Sequence, residues 1–238
     1  MILTRTPFRV SFAGGGTDLP IFYKKNKFGK VISSTIKKYL YVMVKKQAPF
    51  VEYKYRINWS KTEFVNSIDK IQNPIAREAL KYFKIDFPLE ITTTSEIPAQ
   101  TGLGSSSAFV VGLVNALYAI KGIKASKKMI AKTAAHIEIN MLKRFIGKQD
   151  HYACAYGGLN IFTFHEDDRV TVKPLNNINY NYLKNNLFLF FTFKQRDTHA
   201  GHTLKKQNLG SKINNESLLR SLKDVEICKK IIQKNKHL

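Results

Sequence analysis

Cysteine is nearly absent from this chain: Cys154 and Cys228 are the only two among 238 residues. Two thiols so far apart make neither a metal-binding spacing nor a disulfide framework, which excludes a small cross-linked secreted scaffold. Long apolar runs are missing as well. Leu187-Phe188-Leu189-Phe190-Phe191 falls far short of the roughly 20 residues that span a bilayer. Met1 to Pro7 holds no apolar segment of signal-peptide length. The expectation is a reduced, cytoplasmic protein with no membrane partner.

Acidic residues are scarce too. Asp and Glu number 17 against 39 Lys and Arg, giving a net charge of +22. Such an excess invites a nucleic-acid partner. Its positive residues, however, run along the whole chain and do not gather in one arm. Polynucleotide affinity needs clustered phosphate contacts, so drift toward lysine on a neutral surface, or an anionic small substrate, accounts for the charge better. Seven of the 13 glycines gather at 14–16, 102, 104 and 157–158, and none follows Gly210.

What is present in quantity is core-forming material: 44% hydrophobic and 12% aromatic residues, well above a disordered composition. The length suits one large or two modest domains. Leu3–Phe12, Val31–Ser34, Tyr39–Lys45 and Leu89–Thr94 read as strands, with Phe50–Trp59 a weaker one. Pro7 sets the first near a sheet edge. Pro74–Phe83 reads as a helix with proline in its first turn. From Ser105 the period changes, and Ala108, Val111, Leu113, Val114, Leu117 and Tyr118 predict a mostly buried helix closed by Gly122. A second helix starts at the N-cap Ser126 and puts Ile130, Ala134, Ile137 and Met141 on one face. Gly157-Gly158 turn the chain into a strand ending near Phe164, with Val170–Val172 pairing beside it. The Asn-rich stretch 176–186 marks a domain boundary, followed by a strand over Leu187–Phe193 and a lysine-rich helical tail. This order predicts an α/β sandwich with helices on one face.

Three segments carry chemistry. Pro98-Ala99-Gln100-Thr101-Gly102-Leu103-Gly104-Ser105-Ser106-Ser107 lies between a strand and a buried helix. Its glycines let the backbone approach an anion, the helix start offers unpaired N–H groups, and a serine hydroxyl can ligate magnesium. No Gly-Lys-Ser/Thr ends it, so it is not a Walker loop. A Gly/Ser turn that merely caps the helix would have the same composition. Arg9 followed by Gly14-Gly15-Gly16-Thr17-Asp18 places a guanidinium able to hold phosphate beside a tight turn ending in a carboxylate able to accept from substrate hydroxyls. A strand ending in a capped turn explains that pattern equally. Finally, Glu138 lies on the helix from Ser126, and Asp150 follows just after it within Gly147-Lys148-Gln149-Asp150-His151-Tyr152. A carboxylate at 138 suits magnesium and one at 150 suits the proton of an acceptor hydroxyl, although a lone helical Glu is commonly a solvated surface residue.

In this order the three segments resemble the GHMP kinases (galactokinase, homoserine kinase, mevalonate kinase, phosphomevalonate kinase). Pro98–Ser106 matches the Pro-x-x-x-Gly-Leu-Gly-Ser-Ser core of that family's ATP loop. The Gly-Gly-Gly-Thr-Asp and Gly-x-Gln-Asp-x-Tyr forms resemble its sugar-kinase branch, and especially the heptose 7-phosphate kinases. The likeness covers roughly residues 1–200.

The resemblance implies an α+β, two-domain architecture, with an ATP-binding α/β sandwich over 1–180 and a second domain starting near 187. It implies that Pro98, Thr101, Gly102, Leu103, Gly104, Ser105, Ser106 and Ser107 hold ATP, and that Ser105 and Glu138 hold Mg2+. Asp150 and Arg9 would be catalytic, and Gly14, Gly15, Gly16, Thr17 and Asp18 would bind the sugar. The reaction implied is phosphorylation of a sugar or sugar phosphate, at branch level the anomeric hydroxyl of D-glycero-D-manno-heptose 7-phosphate, as a step toward nucleotide-heptose for surface polysaccharide.

The family's third, glycine-rich motif has no match, so the expectation is an N-terminal sandwich that is complete and a C-terminal α+β domain that is not. A remnant that binds nucleotide without turnover, and a basic nucleic-acid-binding module, are the competing readings. Oligomeric state is not legible.

Other signals carry less. His199 and His202 have no Cys, Asp or Glu in a metal-binding pattern beside them and read as solvent-facing polar residues. Arg196 could reach a substrate phosphate. Cys154, among Ala and Tyr, reads as a packed core thiol, and the aromatics of 180–193 read as strand packing. From Lys194 on, eleven basic residues face four acidic ones, as expected of a solvated helix face.

Overall fold

The computed structural model describes residues 1–48, 50–176, 178, 180–190 and 212–234. Seven strands and seven α-helices form among them, the mixed composition that the sequence predicts. Two compact units are built from interleaved stretches of chain. One comprises Met1–Phe8, Ile36–Phe145 and Asp150–Tyr156; the other comprises Arg9–Thr35, Ile146–Gln149 and Gly157–Leu238.

The first unit takes the start of β1 (Ile2–Ala13) and the later part of β2 (Phe28–Lys46), with β3 (Tyr55–Asn58), β4 (Thr62–Val65) and β5 (Leu89–Ser95). Hydrogen bonding runs in the order β4-β3-β5-β2. β2 and β5 are antiparallel, with Val44 opposite Ile91, and β3 runs parallel to β5, with Ile57 also opposite Ile91. Alternate residues Leu40, Val42 and Val44 are buried, the two-residue period of a half-buried strand.

Helices α2 (Pro74–Tyr82), α3 (Ser105–Ile120), α4 (Lys127–Ala135) and α5 (Gln149–Tyr156) complete that unit apart from the first residue of α5. Asn73 accepts the Ala76 N–H at 3.0 Å ahead of Pro74, and Ser126 accepts the Met129 N–H at 3.2 Å; these side chains fix where α2 and α4 start. α3 buries eleven of its sixteen residues, so it is a core helix and not an amphipathic surface one. Gly112 on α3 admits β1: a Cβ there would lie 2.8 Å from Thr6 Oγ1. Thr4 Oγ1 lies 3.0 Å from the Gly112 carbonyl and 3.3 Å from that of Val42. Phe8, Val42, Ile57, Leu80, Ile91, Leu113 and Leu117 anchor this core, and Cys154 is buried in it as expected.

In the second unit the early part of β2 pairs antiparallel with β6 (Leu159–His165), Val31 opposite Phe162, and β6 pairs with β7 (Val170–Pro174). Helices α1 (Pro20–Tyr23), α6 (Tyr180–Asn186) and α7 (Lys212–Lys234) belong here. Ile32, Leu159, Ile161 and Leu175 pack with Val225 and Ile232, two turns apart on α7. That helix is the lysine-rich one read from the sequence, with Glu226 bonded to Lys30 at 2.9 Å.

Several elements differ from expectation. The two strands read at 31–34 and 39–45 are one strand, β2, because the polar residues between them keep extended backbone. The helix from Ser126 stays α-helical only to Ala135; His136–Met141 is a π-helical turn. Asp150 follows no helix directly but stands in the first turn of α5. Leu187–Phe190 is exposed and not in a strand. Phe191–Phe193, Arg196, His199 and His202 lie outside the described residues. No helix among those described is long and apolar enough to cross a membrane.

Candidate active site

β5 ends at Ser95 and α3 begins at Ser105, and the nine residues between them form the Gly/Ser loop. Left-handed backbone recurs through it, at Gln100, Gly102 and Gly104, with φ of +66°, +80° and +77°. Gly104 is the N-cap of α3, and no side chain caps that end. The first-turn N–H groups therefore have no side-chain acceptor, and no acidic residue in that turn offsets the helix dipole. Thr101 Oγ1 donates to the Pro98 carbonyl at 3.2 Å and ties the loop to itself.

The serines at the helix start meet Glu138. Its carboxyl, fully buried, accepts from Ser106 Oγ and Arg144 Nη1 on Oε1, and from Ser107 Oγ at 3.3 Å on Oε2. His151 Nε2 lies 2.8 Å from the same Oε2; with the carboxylate ionised, Nε2 is the donor. Arg144 Nη1 also donates to Ser106 Oγ at 2.8 Å. Burial pushes the Glu138 carboxyl up. The His151 bond and charge, then Arg144 and Ser106, outweigh burial and hold its pKa at about 2.

This cluster depends on the π-helical turn. The Leu142 N–H donates to the Ile137 carbonyl, five residues back, at 3.0 Å, and the Arg144 N–H donates to the Glu138 carbonyl at 3.1 Å. Lys143, at φ +54°, reverses the chain between them. The guanidinium of Arg144 thus returns over the carboxylate it follows by six residues. Single π-turns inside helices concentrate at functional sites.

The magnesium pair expected was Ser105 with Glu138; the hydroxyls bonded to Glu138 are those of Ser106 and Ser107. Hard oxygen donors and a single carboxylate suit Mg2+, which usually takes few protein ligands beside phosphate. Four hydrogen bonds already fill the roughly four lone-pair positions of the carboxylate, so a directly bound cation would replace one of them. Among the described residues no cluster of three or more His, Cys, Asp or Glu side chains has metal-binding geometry. Asp150, partly buried, immediately precedes His151 on α5, so the helix that supplies the Glu138 partner also carries the second acid.

In the other unit, Arg9 is partly buried on β1. Gly14 turns at φ +87°, and a Cβ there would lie 1.9 Å from the Lys30 carbonyl oxygen, so only glycine fits. Thr17 Oγ1 lies 2.7 Å from the Gly14 carbonyl and accepts the Lys30 N–H at 3.0 Å. Asp18 is buried at 2% exposure. Its oxygens accept the Gln149 backbone N–H at 3.0 Å and the Gln149 side-chain amide at 3.2 Å, and it presses on Gly147. Lys148, between them, bonds Asp168 at 2.8 Å, and Tyr23 donates to the same carboxylate at 2.6 Å. The two sugar-kinase-like motifs are thus joined through Asp18 and the 147–149 bend.

Sequence reasoning missed Arg144 and His151. For His151 the only signal was its place beside Asp150; for Arg144 there was none, because a six-residue separation fits no helical period.

Residues 70–158, which hold the loop, Glu138 and Asp150, match the GHMP kinases N terminal domain. The chain is 30% identical over 231 residues to a D-glycero-alpha-D-manno-heptose 7-phosphate kinase of Campylobacter jejuni, covering 91% of this chain and 67% of that protein. The crystal structure of a "putative sugar kinase" from C. jejuni superimposes with a TM-score of 0.60 at 27% identity over 99% of this chain and 74% of that one. A D-glycero-D-manno-heptose 1-phosphate kinase from Bacteroides thetaiotaomicron shares the fold, with a TM-score of 0.67 at 24% identity over 77% of this chain and 62% of that one. The chain spans 62% to 74% of these relatives' lengths. On the strength of the C. jejuni heptose kinase, this chain belongs to the GHMP kinase family of phosphotransferases, in its sugar-kinase branch.

Proposed function

We propose that the chain transfers the γ-phosphoryl group of ATP to a sugar phosphate, most closely the anomeric hydroxyl of D-glycero-D-manno-heptose 7-phosphate, on a route to nucleotide-heptose. One observation carries this reading. The uncapped start of α3, the hydroxyls of Ser106 and Ser107, and the Glu138–Arg144 pair converge at one place, as a site for a polyphosphate requires. The identity to the C. jejuni heptose kinase supports the choice of acceptor.

In this reading the 98–107 loop cradles the phosphates with its backbone N–H groups. Glu138 and a serine at 105 or 106 would hold Mg2+, which would supply positive charge against the phosphates. Asp150 accepts or orients the proton of the attacking hydroxyl. Arg9 is assigned to the transferred phosphoryl and the Gly14–Asp18 turn to the sugar, on their motifs alone. Asp18 itself serves the sugar side by holding the bend at Gly147–Gln149. Transfer then depends on positioning and charge stabilisation more than on covalent chemistry.

Incubation with ATP, Mg2+ and heptose 7-phosphate, followed by 31P NMR, tests it. A new phosphate resonance coupled to the anomeric proton is expected. ATP left unconsumed across heptose 7-phosphate and a panel of hexoses would overturn the assignment.

A further inference from the structure

Arg144 is the strongest feature that none of the motifs absorbs. Its guanidinium uses one nitrogen for anchoring: Nη1 donates to Glu138 and to Ser106 Oγ. A guanidinium has five donor hydrogens in a planar fork. Nη1 supplies two of them, and Nε and Nη2, which together form one edge of the fork, make no hydrogen bond among the described residues. The side chain is 32% exposed while Glu138 beneath it is fully buried, so one side of the group is fixed and the other remains accessible. A Nε–Nη2 edge is the geometry that grips a phosphate through two parallel bonds. It stands at Ser106, in the first turn of a helix with no acidic residue there.

We infer that Arg144 is a phosphate-binding residue of this site, held by Glu138 so that its free edge grips the nucleotide's polyphosphate directly, without needing a divalent cation. The inference rests on the reading of the 98–107 loop as the phosphate cradle and adds a residue to it. Anchoring matters physically. A long flexible side chain that is already immobilised loses little rotamer freedom when the anion arrives. The cluster also keeps a net positive character, because the Arg144 charge balances Glu138 and leaves the α3 dipole uncompensated.

The test is calorimetric titration of the full chain with ATP and with adenosine, both in EDTA, comparing the original protein with Arg144→Gln and Arg144→Lys. Arg144→Gln should weaken metal-free ATP binding about tenfold or more, Arg144→Lys by less, since a point charge replaces a fork. Adenosine, which lacks phosphates, should bind all three equally. ATP affinity unchanged in Arg144→Gln, or ATP and adenosine weakened together, would overturn the inference and leave the loop assignment standing. A chain that binds neither compound, with or without Mg2+, would remove the loop assignment and the inference with it.

Discussion

His151 Nε2 and Glu138 Oε2 lie 2.8 Å apart with both side chains wholly out of solvent. The bond joins the start of α5 to the π-helical turn, so two acids that are twelve residues apart in sequence are carried by directly bonded elements. His151 Nδ1 is buried and makes no hydrogen bond among the described residues, so the ring is committed to Glu138 through one nitrogen only. A buried carboxylate is tolerated here because two basic side chains and two hydroxyls face it.

Replacing Glu138 with Gln should therefore destabilise the chain by about 3–5 kcal/mol at pH 7, the usual cost of stranding buried partners. The Glu138 pKa is held down at about 2, below its ordinary 4.5. Ionised Glu138 thus favours the folded state above pH 4.5, and that contribution is lost as pH falls from 4.5 through about 2. Urea unfolding at pH 7, 4.5 and 3 should show the gap between the two proteins narrowing in that direction. A gap that widens toward acid would contradict the ion-pair account.

Gly147 carries no side chain because Asp18 occupies the space: a Cβ there would lie 1.8 Å from Asp18 Oδ2. Gly147→Ala should cost about 1–3 kcal/mol, the range for overpacking a tight contact. Asp18→Ala, which strands the Gln149 N–H, should cost about as much. Because the two residues share one contact, the double variant should cost less than the sum, as a double-mutant cycle by urea unfolding would show. Strict additivity would mean that the 147–149 bend does not depend on Asp18.

Gly104 caps α3 at φ +77°, where a side chain costs about 1–2 kcal/mol. Gly104→Ala should lower the melting temperature and weaken ATP binding, since relief of the strain moves the N–H groups of the first turn. Thermal melts with and without ATP measure both. Lost stability with unchanged ATP affinity would place the phosphates elsewhere.

How much of this was legible in the sequence varies by element. α3 could be read because the stretch Ala108–Tyr118, apolar but for Asn115, leaves few alternatives to a buried helix, and the Gly/Ser loop before it because glycine and serine punctuate so clearly. The strand β2 was read as two because Lys37 and Lys38 interrupt the apolar alternation; they fall between the stretch paired with β6, Phe28–Ser34, and the stretch paired with β5, Leu40–Lys46, and the backbone stays extended through them. The π-turn was not legible. Ile137 and Met141 keep helical spacing on paper, while the actual backbone slips by one residue and turns Glu138 toward α3. That slip also decides which hydroxyls meet Glu138, those of Ser106 and Ser107, and it brings back Arg144, whose contact depends on a left-handed Lys143 that no residue pattern announces.

The most direct measurement is sugar-dependent ADP release by the chain and by Asp150→Asn, with ATP affinity measured in parallel. The acid on α5 should matter for chemistry and not for nucleotide binding, so turnover should fall about 10²- to 10⁴-fold, the range for loss of a general base, while ATP affinity stays within about twofold. Equal turnover in the two proteins would contradict the assignment of Asp150 and the kinase site built around it.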